Sequence, residues 1–176
     1  KKETEDEFSA MLEADAIVFA FPLYFFCLPG MFMRFLQDYA AYRTQHSGQA
    51  RSPKVYAAVN CGFPEPEINC EALRVVKSFC NHTCASFRFG IMIGGGGMLL
   101  GAKDAPFMKK TVAKLDEALR LIAQDIADSS LLPIDDIMIC VNIPKKLYFF
   151  GGNLGWGQMA KKNGLRKKDL YAQPYR

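Results

Sequence analysis

Asp15-Ala16-Ile17-Val18-Phe19-Ala20-Phe21-Pro22-Leu23-Tyr24-Phe25-Phe26-Cys27-Leu28-Pro29-Gly30-Met31-Phe32-Met33-Arg34-Phe35-Leu36 is the stretch whose reading decides the fold. Ala16 through Met33 carry no charge, a run long enough to suggest a transmembrane helix. Its residues divide it instead into three pieces. Residues 16–21 read as a short strand buried on both faces, because a half-exposed strand would alternate with polar residues and this one does not. Residues 22–28 read as a turn with aromatic groups at its tip. Pro29 then opens a helix, where its missing N–H costs nothing and its fixed φ is already helical. Inside a lipid-facing helix Pro22 and Pro29 would each remove a backbone hydrogen bond. Arg34, Phe35, Leu36, Asp38 and Tyr39 continue an amphipathic helical pattern past the uncharged run. No membrane span is expected.

Two further apolar runs repeat the pattern. Residues 54–60, Lys-Val-Tyr-Ala-Ala-Val-Asn, end in the turn-rich Cys61-Gly62-Phe63-Pro64-Glu65-Pro66 and lead to a helix over 67–84 with Leu73, Val76, Phe79 and Cys80 at core spacing. Residues 87–93 run into Gly94-Gly95-Gly96-Gly97-Met98. A long helix follows over 106–128, apolar at Val112, Leu115, Leu119, Ile122 and Ile126. Three strand–loop–helix units in succession imply parallel strands joined by right-handed crossovers, the open α/β class with helices on both faces of the sheet.

The 176 residues suit one domain, and 50% hydrophobic against 23% charged residues is ordinary globular composition. The expected organisation is an α/β domain over 1–133 and a basic, aromatic extension over 134–176 packed on it. Residues 137–143 read as a strand or a buried connector. The net charge of +4 is uneven: the first fifteen residues lean acidic, while 145–176 hold eight Lys or Arg against Asp169 alone. A solvated face is the simplest reading of that basic tail, so no nucleic-acid partner is expected. A helix over 5–13, with Phe8, Met11 and Leu12 on one face, runs straight into the first strand. The chain therefore reads as beginning inside a domain, with an N-terminal segment absent from this sequence and the first strand left as a sheet edge.

In open parallel sheets, ligands bind beyond the carboxyl ends of the strands. Here those ends supply aromatic surface around Pro22, then Asn60 with exposed amides around Gly62. Last comes the glycine run, where a planar ligand can approach backbone N–H groups. The combination suits a flat heteroaromatic ligand with polar edges and suits a metal or a nucleophilic triad poorly. Cys80 and Cys84, at helical spacing i, i+4, lack a second ligand pair and read as buried thiols. Cys61, in the second loop, is the thiol expected to be worth testing for reactivity. Six cysteines without a C-x-x-C pair, and without a signal peptide, fit a reduced, cytoplasmic setting.

Residues 15–24 with Leu28-Pro29-Gly30, then Val59-Asn60-Cys61-Gly62-Phe63, then Ile93-Gly94-Gly95-Gly96-Gly97-Met98 resemble the flavodoxin-like NAD(P)H-dependent FMN reductase family. The tail, with Asn142-Ile143-Pro144-Lys145, Gly152-Asn153-Leu154-Gly155-Trp156 and Ala160-Lys161-Lys162-Asn163-Gly164-Leu165, resembles a bacterial branch of it. The resemblance implies a sheet of order 2-1-3-4-5, of which this chain matches strands three, four and five. It implies FMN as cofactor, NAD(P)H as electron donor, a small-molecule electron acceptor and a homodimer. By resemblance Pro22, Leu23 and Tyr24 line one side of the flavin and Asn60, Cys61, Gly62 and Phe63 the other, with Gly95 and Gly96 as further cofactor-binding positions. No side chain is assigned a catalytic role. The family's Ser/Thr-rich phosphate loop has no counterpart here, so the chain by itself is expected to hold FMN poorly. The alternative reading is a truncated or degenerate scaffold that binds partners or dimerises without turnover.

Overall fold

The structure, a computed structural model, describes residues 2–48, 50–128, 132–141 and 143–173. It divides into two units, Lys1–Val141 and Asn142–Arg176. The first begins with helix α1 (Lys2–Glu13), strand β1 (Ala16–Pro22), helix α2 (Gly30–Gln45) and strand β2 (Lys54–Asn60). It continues through α3 (Cys70–His82), β3 (Ser86–Ile93), α4 (Gly96–Ala102), α5 (Lys109–Ala127) and β4 (Ile137–Ile139). All four strands are parallel, in the order β1-β2-β3-β4. This is the open α/β class that the three strand–loop–helix units imply, consistent with a flavodoxin-like sheet.

Residues 137–139 resolve as a strand. Ile91, Met92 and Ile93 pair with Ile137, Met138 and Ile139, so the sheet extends past residue 133 and the first unit ends after Val141.

Two hydrophobic clusters sandwich the sheet. On one face Phe19, Phe21, Val55, Ala57, Val59 and Met92 meet Leu36 of α2 and Leu73, Val76 and Cys80 of α3. On the other, Tyr56, Phe89, Ile91, Ile93 and Ile139 meet Ala118 and Ile122 of α5. The connections from β1 to β2 and from β2 to β3 thus cross one face, while the connection from β3 to β4 crosses the opposite face. With parallel strands in sequence order, the last connection has the opposite hand to the first two. The right-handed crossovers expected from the sequence concern the units over β1 to β3, and both connections between those strands cross the same face. Side-chain bonds secure the returning segment: Asp136 accepts from Gly90 N (2.8 Å) and pairs with Lys77 (2.7 Å).

Strand β1 is the edge of the described sheet, as expected, but it is not buried on both faces. Phe19 and Phe21 are buried, whereas Val18 is 47% exposed and Ala20 and Pro22 are also exposed. The cluster beneath α5 reaches only Ala16 of β1, so the far end of that face is not covered by the described residues of the first unit.

Helix α5 is also rotated from the expected stripe. Its buried residues are Thr111, Ala118, Ile122 and Asp125, while Leu119 and Ile126 are exposed. A buried carboxylate bonded to the sheet turns the helix, and apolar periodicity cannot signal that. The helix expected over 67–84 is a 3-10 turn (Pro66–Asn69) followed by α3, which ends at His82. Cys84 therefore lies beyond the helix and is exposed, not buried as its spacing from Cys80 suggested. Phe8 and Leu12 of α1 are buried against Tyr39 with Met11 partly so, the face expected from the sequence.

In the second unit a single helix, α6 (Lys145–Lys162), spans the Gly-rich aromatic stretch and the start of the basic one. Its end is a Schellman cap. Gly164 sits at φ +72°, Leu165 N donates to Ala160 O (2.9 Å) and Gly164 N to Lys161 O (3.1 Å). Among the described residues no helix is long and apolar enough to cross a membrane.

Candidate functional site

The carboxyl ends of β1, β2 and β3 form a rim. Pro22 lies opposite Asn60, and Asn60 opposite Ile93. Beyond the last strand bonds, Leu23 N donates to Asn60 O (2.7 Å) and Cys61 N to Ile93 O (3.0 Å). The sheet thus hands its register directly to the three loops.

The first loop is a hairpin. Tyr24 and Cys27 exchange backbone hydrogen bonds, each 2.9 Å, leaving Phe25 and Phe26 as the two central residues. Both have positive φ, 46° and 61°. That is the φ signature of a type I′ turn, which normally takes Asn-Gly because a Cβ is strained there. Phe25 is 97% exposed, and Phe26 stacks on Phe63 of the second loop at 5.9 Å and 20°. Tyr24 is exposed beside them. Leu23, in contrast, packs against the core.

The second and third loops are stitched together. Gly94 N donates to Ile139 O (2.8 Å), Gly95 N to Phe63 O (2.6 Å) and Gly96 N to Cys61 O (2.8 Å). The amides of Gly94, Gly95 and Gly96 are therefore committed to neighbouring carbonyls. What the glycines provide is close approach: a Cβ on Gly94 would stand 2.4 Å from Pro64 O, and one on Gly96 2.8 Å from Asn60 Oδ1. The Asn60 side chain rests against Gly96 on the exposed side of the rim. Residues 96–102 are helical where the sequence suggested loop, Gly95 supplying the left-handed residue ahead of α4 (φ 69°).

Cys61 faces inward. It is buried, its thiol lies 3.4 Å from Phe63 O, and Asn69 Nδ2 lies 3.5 Å from its sulfur. Asn69, fully buried, also donates to Pro66 O and lies within reach of Ile93 O, while its Oδ1 has no partner among the described residues. Asn69 is the element sequence reading missed; an Asn just ahead of a helix reads as a cap, and here it braces the loop. Pro22, Tyr24, Asn60, Gly62 and Phe63 thus sit together on the exposed rim. Leu23, Cys61 and Gly95 support it from behind, and Gly96 fixes the side chain of Asn60.

Titratable groups with displaced equilibria lie away from the rim. Burial pushes the Cys80 thiol up to about 12. Near the amino ends of β2 and β3, hydrogen bonding to Arg88 holds the Asp125 carboxyl down at about 2, and burial raises the Tyr56 phenol. Among the described residues no group of three or more His, Cys, Asp or Glu could hold a metal ion.

What the fold and rim define is a class: an open, all-parallel α/β protein with an aromatic ledge at the carboxyl ends of its strands. No family model, curated protein or solved structure matches the chain.

Proposed function

We propose that the chain belongs to an FMN-dependent NAD(P)H oxidoreductase and carries the flavin-ring side of its site. The observation behind this reading is the convergence of Tyr24, the Phe26–Phe63 stack and Asn60, lying against Gly96, on one rim. The three aromatic side chains offer flat surface for an isoalloxazine, and the exposed carboxamide of Asn60 can meet a polar ring edge. The ring-sized half of FMN fits these groups. Residues 22–28, 60–66 and 94–98 contain no Lys, Arg, Ser or Thr, so its phosphate gains no partner from these loops. When bound, FMN supplies the hydride chemistry from NAD(P)H to a small-molecule acceptor; the protein positions the ring and excludes water. A homodimer in a cytoplasmic setting belongs to this reading, supported by the open edge of β1, the exposed Phe25 and six free thiols.

A second reading, a scaffold that binds partners without turnover, is favoured by the committed amides of Gly94, Gly95 and Gly96. Titration of FMN by fluorescence, followed by NADH and NADPH oxidation with FMN present, separates the two. Weak, saturable FMN binding that is lost in Phe63→Ala supports the oxidoreductase. Absence of saturable FMN binding overturns it.

A further inference from the structure

The two buried arginines of the first unit are treated differently. Arg88 has a carboxylate partner, Asp125. Arg43, in the last turn of α2, is 9% exposed and bonds one backbone carbonyl, Arg51 O, through Nη2 at 2.6 Å. Among the described residues it has no carboxylate partner. A guanidinium carries five N–H donors and stays charged, so one carbonyl leaves most of its capacity unused and gives its charge no ionic partner. The carbonyl end of α2 offsets part of that charge, but buried charges are otherwise found paired.

Arg43 lines a cleft of about 420 Å3 at the amino end of the sheet, opposite the aromatic rim. The other walls are Ser47, Ser52, His82, Thr83, Cys84 and the small side chains beside them; among the described residues no Asp or Glu contributes. The hydroxyls of Thr44, Ser52 and Thr83 donate to Ala40 O, Cys84 O and Phe79 O, so their protons are used and Arg43 is the dominant donor. Cys84 turns the chain at the wall with φ +50°, a conformation that costs energy for any residue but glycine.

We propose that this cleft is a binding site for a small oxyanion, the carboxylate or phosphate group of a small molecule, gripped by the Arg43 guanidinium. The fork geometry of Arg suits two oxygens of one such group, and the hydroxyl lone pairs around it can accept from the ligand's own donors. The cleft is large enough to admit more than the bare ion. The site is independent of the flavin reading, and none of its residues lies on the rim.

The test is calorimetric titration and thermal melting of the protein with inorganic phosphate and, separately, acetate, at constant ionic strength with chloride as reference. Saturable binding of either anion, with a melting temperature that rises with its concentration, is expected; the better anion identifies the group. Arg43→Met should weaken binding at least about tenfold, with Arg43→Lys in between. Ser47→Asp, at an exposed wall position where folding is not at risk, should abolish binding by placing a carboxylate in the cleft. The proposal is overturned if neither anion binds beyond chloride, leaving a water-filled cleft, or if Arg43→Met or Ser47→Asp binds as wild type does.

Discussion

Arg88 and Asp125 form a bidentate ion pair between β3 and α5, Nε to Oδ2 at 2.8 Å and Nη2 to Oδ1 at 2.7 Å, with both side chains almost fully buried. Tyr56 Oη donates to the same carboxylate at 2.6 Å, and Arg88 also donates to Leu132 O. The pair exists because β3 carries a bulge. Val55 pairs with Phe87 and Tyr56 with Phe89, which leaves Arg88 as the extra residue. The bulge also switches faces: Phe87 packs toward α2 and α3, while Phe89 and Ile91 pack toward α5.

Breaking the pair from one side should be far worse than removing it whole. Asp125→Asn leaves Arg88 buried without a counter-charge and should cost about 3–5 kcal/mol in urea unfolding. Arg88→Met combined with Asp125→Leu should recover most of that. Its remaining cost is the stranded Tyr56 hydroxyl, about 1–3 kcal/mol, which Tyr56→Phe in the same background should relieve. If Asp125→Asn and the double variant unfold alike, the ion pair is not what organises this face.

The same carboxylate sets an acid limit. Hydrogen bonding to Arg88 lowers its pKa from 3.8 to about 2. Its stabilising contribution is present above the unfolded-state value and is lost as pH falls through the folded one. Urea midpoints measured from pH 5 down to pH 2 should therefore decline, with about 2 kcal/mol attributable to this group. Asp125→Asn should lack that share of the slope, and an unchanged slope would refute the assignment.

Thiol chemistry should follow burial. Cys84 and Cys140 are exposed, whereas Cys61 and Cys80 are buried and the Cys80 thiol is pushed up to about 12. An aromatic disulfide reagent at pH 8 should label Cys84 and Cys140 quickly, and Cys80 only on unfolding. Replacing the two exposed cysteines by Ser should remove the fast phase. Rapid labelling of Cys61 would mean that the 61–66 loop opens in solution.

The sequence is informative where one periodicity governs. Runs of Val, Ile, Phe and Ala fix β1, β2 and β3, the Pro29 start fixes α2, and the strand-end rule brings Pro22, Asn60 and Gly96 to one rim. It is silent where polar groups decide the packing. No pattern flags the bulge at Arg88, the rotation of α5 around Asp125 or the buried brace of Asn69. The exposure of Val18 and Ala20 was equally hidden, because an uninterrupted apolar strand reads as doubly buried whether or not anything covers it.

The two tight glycines of the rim, Gly94 and Gly96, should separate stability from recognition. Gly94→Ala drives a Cβ into backbone, Pro64 O, and should destabilise by about 1–3 kcal/mol. Gly96→Ala meets the side chain of Asn60, which can swing away. It should melt close to wild type yet weaken FMN binding, because Asn60 is displaced. A Gly96→Ala protein that binds FMN as wild type does would remove Asn60 from the site.

The strained hairpin offers the sharpest contrast between folding and function. Phe25 and Phe26 occupy turn positions with φ of 46° and 61°, where Asn and Gly are at ease. Left-handed backbone costs an ordinary L-residue roughly 1–2 kcal/mol. Phe25→Asn with Phe26→Gly should therefore raise unfolding stability by about 1–2 kcal/mol after allowance for the lost Phe26–Phe63 stack. The same change strips the rim of its most exposed aromatic surface, so FMN binding should fall as stability rises. That opposition identifies residues retained for a surface they present. If the variant gains stability and binds FMN unchanged, Phe25 and Phe26 serve no flavin, and another contact must explain their exposure.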